Sequence, residues 1–288
     1  MTGDRRLRVV LFALTGFGNP VLKALLNDAR VQVKAVFTVK YENPFPYYQE
    51  QQLCELCEKR RVICYHGVQV SGNEGIQLLR EHAPDLIIVS TFKQILKENV
   101  LQLPALGVVN LHPSLLPRYR GPCPTQAVLL DDEMKTGVTG HYITEKLDEG
   151  DVLLQRSMVI TEVENDGQLR RKLANLAGQM IPELVGMFAG FTKPAGTSQD
   201  HSLATYAPRP TIEDGYLNPA IDDINTIRRK LRAFNPLPGT SIRIGDQRVA
   251  VNRFDLFQDS RADGFYENRE FFDLITDSRA IRMYKRVN

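Results

Sequence analysis

Residues 7–39 read LRVVLFALTGFGNPVLKALLNDARVQVKAVFTV, and their alternation decides the fold. Leu7 to Phe12 is a nearly continuous apolar run, partly β-branched, which predicts a buried strand. A glycine-bearing turn follows. Asn19-Pro20 then opens a helix through about Asn27, because asparagine caps well and proline tolerates the first helical position. Val31 to Val39 is a second strand. Strand, helix and strand in this order build a parallel sheet covered by helices.

The same rhythm continues outward. Helices are expected over 49–60, 75–82 and 124–130, and strands over 62–65, 85–90, 107–111 and 136–144. A long amphipathic helix over 168–190 carries Leu169, Leu173, Leu176 and Met180 on one face, with a kink expected at Pro182. The polar, turn-rich stretch 192–202 marks the expected domain boundary. Beyond it come a helix over 222–234, a hairpin of 241–244 with 248–251 about Gly245-Asp246, and further β pattern over 271–275 and 279–284. The expected fold is therefore α/β. Residues 1–202 form a Rossmann-like, mostly parallel sheet domain, and residues 203–288 form a small β-rich, open-barrel-like domain.

Composition narrows the classes. Of 288 residues, 43% are hydrophobic and 24% charged, which excludes disordered, collagenous and coiled-coil chains. No apolar run approaches a membrane span, and the apolar stretch after Arg5-Arg6 is too short for a secretory signal. Four cysteines form no disulfide framework, so a reducing cytoplasm is the expected location. Cys54-x-x-Cys57 with Cys64 and His66 carries only a faint zinc pattern, and no metal site is expected.

Thr15-Gly-Phe-Gly-Asn-Pro-Val21 invites a dinucleotide reading, but the third glycine position holds valine and the second strand ends without an acid for a ribose. The turn is read as a tight connection. Backbone N–H groups at Thr15, Gly16 and Phe17 are candidates to meet a substrate phosphate.

The chemistry concentrates in Asn110-Leu-His-Pro-Ser-Leu-Leu-Pro117. Asn110 and His112 are two apart at a strand end, so their side chains share one side. The sheet's C-terminal edge, where open α/β sheets bind ligands, is where both are expected. Downstream, Leu147-Asp-Glu-Gly150 follows a strand and is positioned to return a carboxylate to that edge. An amide, an imidazole and a carboxylate form a coherent acyl-transfer set. The amide meets the developing oxyanion, and the imidazole, preferably protonated, adds charge or moves a proton. The carboxylate orients the imidazole and raises its pKa. His82, His141 and His201 have no usable partner spacing and are read as core or surface histidines. Cys123, beside the motif, is given no role.

The order Asn-x-His-x-Ser-Leu-Leu-Pro, then Leu-Asp-x-Gly with Asp148 placed 36 residues after His112, resembles the folate-dependent formyltransferases. That family includes methionyl-tRNA, glycinamide-ribonucleotide and nucleotide-sugar enzymes and formyl-folate hydrolase domains. The resemblance covers about residues 7–200, including Leu116-Pro-Arg-Tyr-Arg-Gly121 and Thr136-Gly-Val-Thr139, and extends more loosely to Arg232-Ala-Phe-Asn-Pro-Leu-Pro-Gly239. It implies Asn110, His112 and Asp148 as catalytic residues and 10-formyltetrahydrofolate as co-substrate. It assigns the folate pocket to Phe92, Lys93, Gln94, Ile95 and Leu96, and to Ile143, Thr144, Glu145, Lys146 and Leu147.

The acceptor is read from charge. Lys and Arg number 36 against 34 acids, a net charge of +2, and the first 202 residues carry 22 of each sign. The loop 41–50, where tRNA-acting members carry a basic segment, holds Glu42 and Glu50, no Lys or Arg, and the aromatic Phe45, Tyr47 and Tyr48. A tRNA acceptor needs several phosphate contacts, so tRNA is disfavoured, although Arg118-Tyr-Arg-Gly121 is closer to that branch. The expected acceptor is the primary amine of a nucleotide-linked sugar, with Tyr47 or Tyr48 stacking on its base and Arg118 and Arg120 near its phosphates. A methionyl-tRNA acceptor is the first alternative; a formyl-folate hydrolase or a non-catalytic folate-binding paralogue follows.

Overall fold

The computed structural model describes residues 5–40 and 51–286. In chain order the elements are β1 (Leu7–Ala13), α1 (Gly18–Asn27), β2 (Val31–Thr38), α2 (Leu53–Lys59), β3 (Cys64–His66), α3 (Asn73–His82), β4 (Leu86–Ser90), α4 (Glu98–Leu101), β5 (Val108–His112), α5 (Pro124–Leu130), β6 (Lys135–Tyr142), β7 (Val152–Val159), α6 (Asp166–Met187), β8 (Tyr216–Leu217), α7 (Ile224–Ala233), β9 (Thr240–Ile244), β10 (Gln247–Gln258), β11 (Gly264–Glu267), β12 (Phe271–Thr276) and β13 (Arg279–Lys285). They divide into two compact units. One holds the chain up to Gly121 with Lys135–Met158 and Arg170–Tyr206; the other holds Pro122–Met134, Val159–Leu169 and the chain from Ala207 on. The second unit thus includes α5 and the start of α6, stretches that lie before the polar segment 192–202.

In the first unit the sheet order is β3-β2-β1-β4-β5-β6-β7. β1 lies parallel between β2 and β4, and β4 is parallel to β5. Val10, Phe12, Ile87, Val89 and Val108 lie in one core cluster. Such strands read as unbroken apolar runs because parallel strands are buried on both faces. β6 departs from this pattern. It runs antiparallel to β5, with Val109 opposite Tyr142 and His112 opposite Thr139.

The turn after β1 corrects two expectations. α1 begins at Gly18 with Phe17 at its cap position. Asn19 does not cap the helix: it is buried, accepts from the Gly16 N–H at 2.9 Å and donates to the Gln51 carbonyl at 2.7 Å. Thr15 and Phe17 are buried, and Thr15 Oγ1 accepts from the Leu53 N–H at 3.1 Å. Side chains of the turn are thereby committed to packing, and the Gly16 N–H offered to a substrate is already bonded.

In the second unit six strands form a sheet in the order β11-β12-β13-β10-β9-β8. Gln247 pairs with Ile244, so Gly245-Asp246 is a two-residue hairpin loop as expected, with Gly245 at a φ of 56° that suits glycine. α7 is capped by Asp223, whose carboxylate accepts from the Thr226 N–H at 2.7 Å. Its apolar face, Ile224, Ile227 and Leu231, packs with Ile242, Phe272 and Met283.

Arg232 on α7 is 2% exposed. It donates to Asp132 at 2.9 Å, to the Glu164 carbonyl at 3.0 Å and to the Thr161 carbonyl at 2.9 Å. Arg232→Met removes a donor from the Glu164 and Thr161 carbonyls and leaves Asp132 to Arg228. That loss is expected to destabilise the chain by about 2 kcal/mol or more in denaturant unfolding. A change below roughly 0.5 kcal/mol, the scale of an ordinary surface substitution, would contradict this account.

Candidate active site

Asn110 and His112 project from the same face of β5, and the register sets His141 of β6 directly opposite Asn110. The Asn110 amide nitrogen lies 3.2 Å from His141 Nε2. On its other side His141 Nδ1 lies 2.8 Å from the Tyr142 carbonyl. A carbonyl only accepts, so Nδ1 carries the hydrogen and Nε2 receives one Asn110 N–H. His112 has the opposite tautomer. Its Nε2 donates to the Tyr119 carbonyl at 2.8 Å, which leaves Nδ1 facing Asp148 Oδ2 at 3.6 Å. The second carboxylate oxygen, Oδ1, lies 3.6 Å from His141 Nε2.

The route by which Asp148 arrives differs from the expected one. β6 runs back toward the start of β5, so the chain after Tyr142 does not emerge at the sheet's C-terminal edge. The loop that follows is closed by the Tyr142 N–H to Asp151 carbonyl bond at 3.0 Å and carries Asp148 to His112 at the end of β5. Asp148 takes a left-handed conformation, φ 54°, which aspartate tolerates better than most residues. Gly150 is required by space, since a Cβ there would lie 1.9 Å from the Tyr142 oxygen. The Gly121 N–H donates to Asp148 Oδ2 at 2.8 Å.

Burial opposes the Asp148 charge most strongly, but His112, His141 and the Gly121 N–H outweigh it and hold the carboxyl at about 2. His112 moves below the ordinary imidazole value. Burial is the main cause, assisted by His141 and opposed by Asp148 and the Tyr119 carbonyl. The expectation of a raised, preferably protonated imidazole is thus corrected: desolvation exceeds the carboxylate's attraction. Burial thus disfavours the imidazolium, and Asp148 and the Tyr119 carbonyl favour it.

The remaining residues divide clearly. Phe92 stacks on Phe12, ring centres 5.2 Å apart, and Phe92 and Ile143 pack on the same core cluster. Gln94 spends its amide on the Val70 N–H and the Val68 carbonyl, and Leu96 is buried. Lys93, Thr144, Glu145 and Lys146 are exposed, as are two apolar side chains, Ile95 at 88% and Leu147 at 57%. Tyr47 and Tyr48 lie outside the described residues. Arg118 is exposed and donates to the Tyr119 hydroxyl at 2.9 Å. Arg120 is not at hand for a phosphate: it is 7% exposed, donates to Gln199 Oε1 at 2.8 and 3.2 Å and lies 3.4 Å from Glu149. His141, read from sequence as an unpartnered histidine, belongs to the site. The period of two puts Thr139 and His141 on one face, but only the β5–β6 register reveals that this face meets Asn110.

The sequence pattern of the formyl transferase family matches residues 8–185. A methionyl-tRNA formyltransferase of Kosmotoga olearia is 42% identical over 183 residues, 63% of this chain and 58% of that protein. Another, from Methylacidiphilum infernorum, is 30% identical over 266 residues, 90% of this chain and 81% of that protein. In three such relatives at 38–42% identity the match spans only 52–62% of the relative's own length. Among solved structures, the N-formyltransferase of Helicobacter canadensis in complex with folinic acid and dTDP-3-aminofucose aligns with a TM-score of 0.73 at 17% identity, covering 97% of this chain and 100% of that one; this likeness speaks for fold alone. The expectation of a nucleotide-linked sugar acceptor, with tRNA disfavoured, is overturned by the sequence relatives. That expectation rested on net charge, which is blind to where charges sit, and on the loop 41–50, which lies outside the described residues.

A direct check follows from the direction of the His112 shift. His112 is expected to titrate below the usual value of about 6.5 in NMR of its ring nitrogens. Asp148→Asn removes the influence that raises it and should drive it lower still. Because the folded chain binds this proton less readily than the unfolded one, His112 lowers stability as pH falls from about 6.5 through its folded value. A His112 titration above 6.5 would contradict the assignment.

Proposed function

The chain belongs to the formyl transferase family, and from that premise we propose that it transfers a formyl group from 10-formyltetrahydrofolate to the primary amine of methionyl-tRNA. The observation that carries the reading is one carboxylate, Asp148, within 3.6 Å of both His112 Nδ1 and His141 Nε2, beside the Asn110 amide. The acceptor is argued from the relatives' names. Four free cysteines support a reducing compartment such as the cytoplasm.

The residues fit a folate. Of the segments 92–96 and 143–147, the exposed Ile95 and Leu147 would hold it, providing apolar area that a flat ring system would remove from water. 10-Formyltetrahydrofolate supplies the formyl carbon on a nitrogen leaving group. Asn110 keeps one N–H on His141 and has a second with which to meet the negative charge developing on the formyl oxygen. Neutral His112 takes at Nδ1 the proton shed by the attacking amine and returns it to the departing nitrogen as the old C–N bond breaks. Asp148 stabilises the imidazolium during that interval. The Tyr119 carbonyl, bonded to Nε2, keeps the reacting nitrogen at Nδ1.

Incubation with 10-formyltetrahydrofolate and methionyl-tRNA should yield formyl-methionyl-tRNA. Asn110→Ala should lower turnover on the order of 10²-fold or more. His112→Ala should be comparably severe, and the double variant far less than multiplicative, because the groups act on one transition state. Intact folate binding with no formylated methionyl-tRNA would reject the acceptor. Near-native transfer by His112→Ala would reject the mechanism.

A further inference from the structure

Resting on the formyl-transfer reading, we propose that Gln199 is a positioning residue of the site. It pins the loop bearing Asp148 and makes the segment 197–206, read from sequence as the edge of a domain, part of the catalytic scaffold. Gln199 is 7% exposed, and every polar position of its amide is engaged. Nε2 donates to the Asp148 carbonyl at 2.8 Å and to the Gly150 carbonyl at 2.7 Å. Oε1 accepts from Arg120 Nε at 3.2 Å and Nη2 at 2.8 Å. One amide therefore brackets Glu149 from both sides, while Arg120 reaches Glu149 itself at 3.4 Å and closes a ring around the loop.

The same segment fixes the other half of the pair. Thr205 accepts from the Tyr119 N–H through Oγ1 at 2.8 Å and from the Arg120 N–H through its carbonyl at 2.9 Å. Tyr119 in turn takes the His112 Nε2 hydrogen, and the Gly121 N–H holds Asp148 Oδ2. Thr197 pairs with Val152 just beyond the loop. Segment 197–206 thus sets both sides of the His112–Asp148 approach. A left-handed backbone is still less favoured than a right-handed or extended one, and the two Gln199 bonds at Asp148 and Gly150 constrain it. The role needs both faces of the amide: N–H groups for two carbonyls and an oxygen for a buried guanidinium.

Two variants separate these faces. Gln199→Met keeps the volume and removes every hydrogen bond; Gln199→Glu keeps an oxygen for Arg120 and removes both N–H donors. The first readout is amide exchange at Gly121 in the ligand-free chain, which reports whether Asp148 stays in place and requires no acceptor. Both variants are expected to speed Gly121 exchange roughly tenfold or more, with Val10 and Phe12 in the sheet core unchanged. In formyl transfer both should lower kcat about tenfold or more, with KM for the formyl donor changed less than about threefold. Unchanged Gly121 exchange in Gln199→Glu would overturn the proposal, as would native kcat with the loop released. If Gln199→Met unfolds the chain, Gln199→Glu decides. If the wild-type chain formylates nothing, the formyl-transfer reading fails while Gly121 exchange still decides the pinning.

Discussion

One carboxylate shared by two imidazoles and a backbone N–H is the constraint on which the site depends. Burying an ionised aspartate is costly unless its oxygens find donors or positive charge. Asp148 has the Gly121 N–H as such a donor on Oδ2; His112 Nδ1 and His141 Nε2, each 3.6 Å from a carboxylate oxygen, attract it only when they carry a proton. The surrounding chain brings these groups together. β6 runs against β5, and the loop after it carries Asp148 to His112. Gly150 gives way to the Tyr142 carbonyl, and Asp148 itself adopts a left-handed backbone.

The two histidines are complementary because backbone carbonyls choose their tautomers. Tyr119 takes the Nε2 hydrogen of His112, and Tyr142 takes the Nδ1 hydrogen of His141. Their lone-pair nitrogens converge on Asp148 and Asn110, so one imidazole stays available for a proton while the other orients the amide. Burial weighs against charge on His112, and Asp148, 3.6 Å from Nδ1, is placed to stabilise it once charged. A poised neutral imidazole suits a reaction in which an amine must shed a proton as it attacks.

Much of this was legible in the chain because it is local. Unbroken apolar runs at 7–12 and 85–90 report strands buried on both faces, and the spacing of Asn110 and His112 reports a shared face. Gly245-Asp246 reports a hairpin. What stayed hidden depends on pairing between distant segments. The direction of β6, and with it the placement of His141 opposite Asn110, is a register that no local pattern carries. Arg120 looks like a surface phosphate ligand until Gln199, 79 residues away, is brought against it. Asn19 has the chemistry of a helix cap but is drawn inward by the Gln51 carbonyl. The direction of the His112 shift is hidden for a related reason: the attraction of Asp148 is visible in sequence, whereas burial is not.

The most direct test of the account is the pH dependence of single-turnover formyl transfer to methionyl-tRNA, compared with the NMR titration of His112. The account predicts a rate that rises with pH along a limb whose midpoint coincides with the His112 titration. That limb should stand below the one set by the acceptor's own amine near about 7.7–8.0, and it should vanish in His112→Ala. A rate that falls as His112 loses its proton would contradict it, because the imidazole would then act as a resting cation and not as the acceptor of the amine's proton.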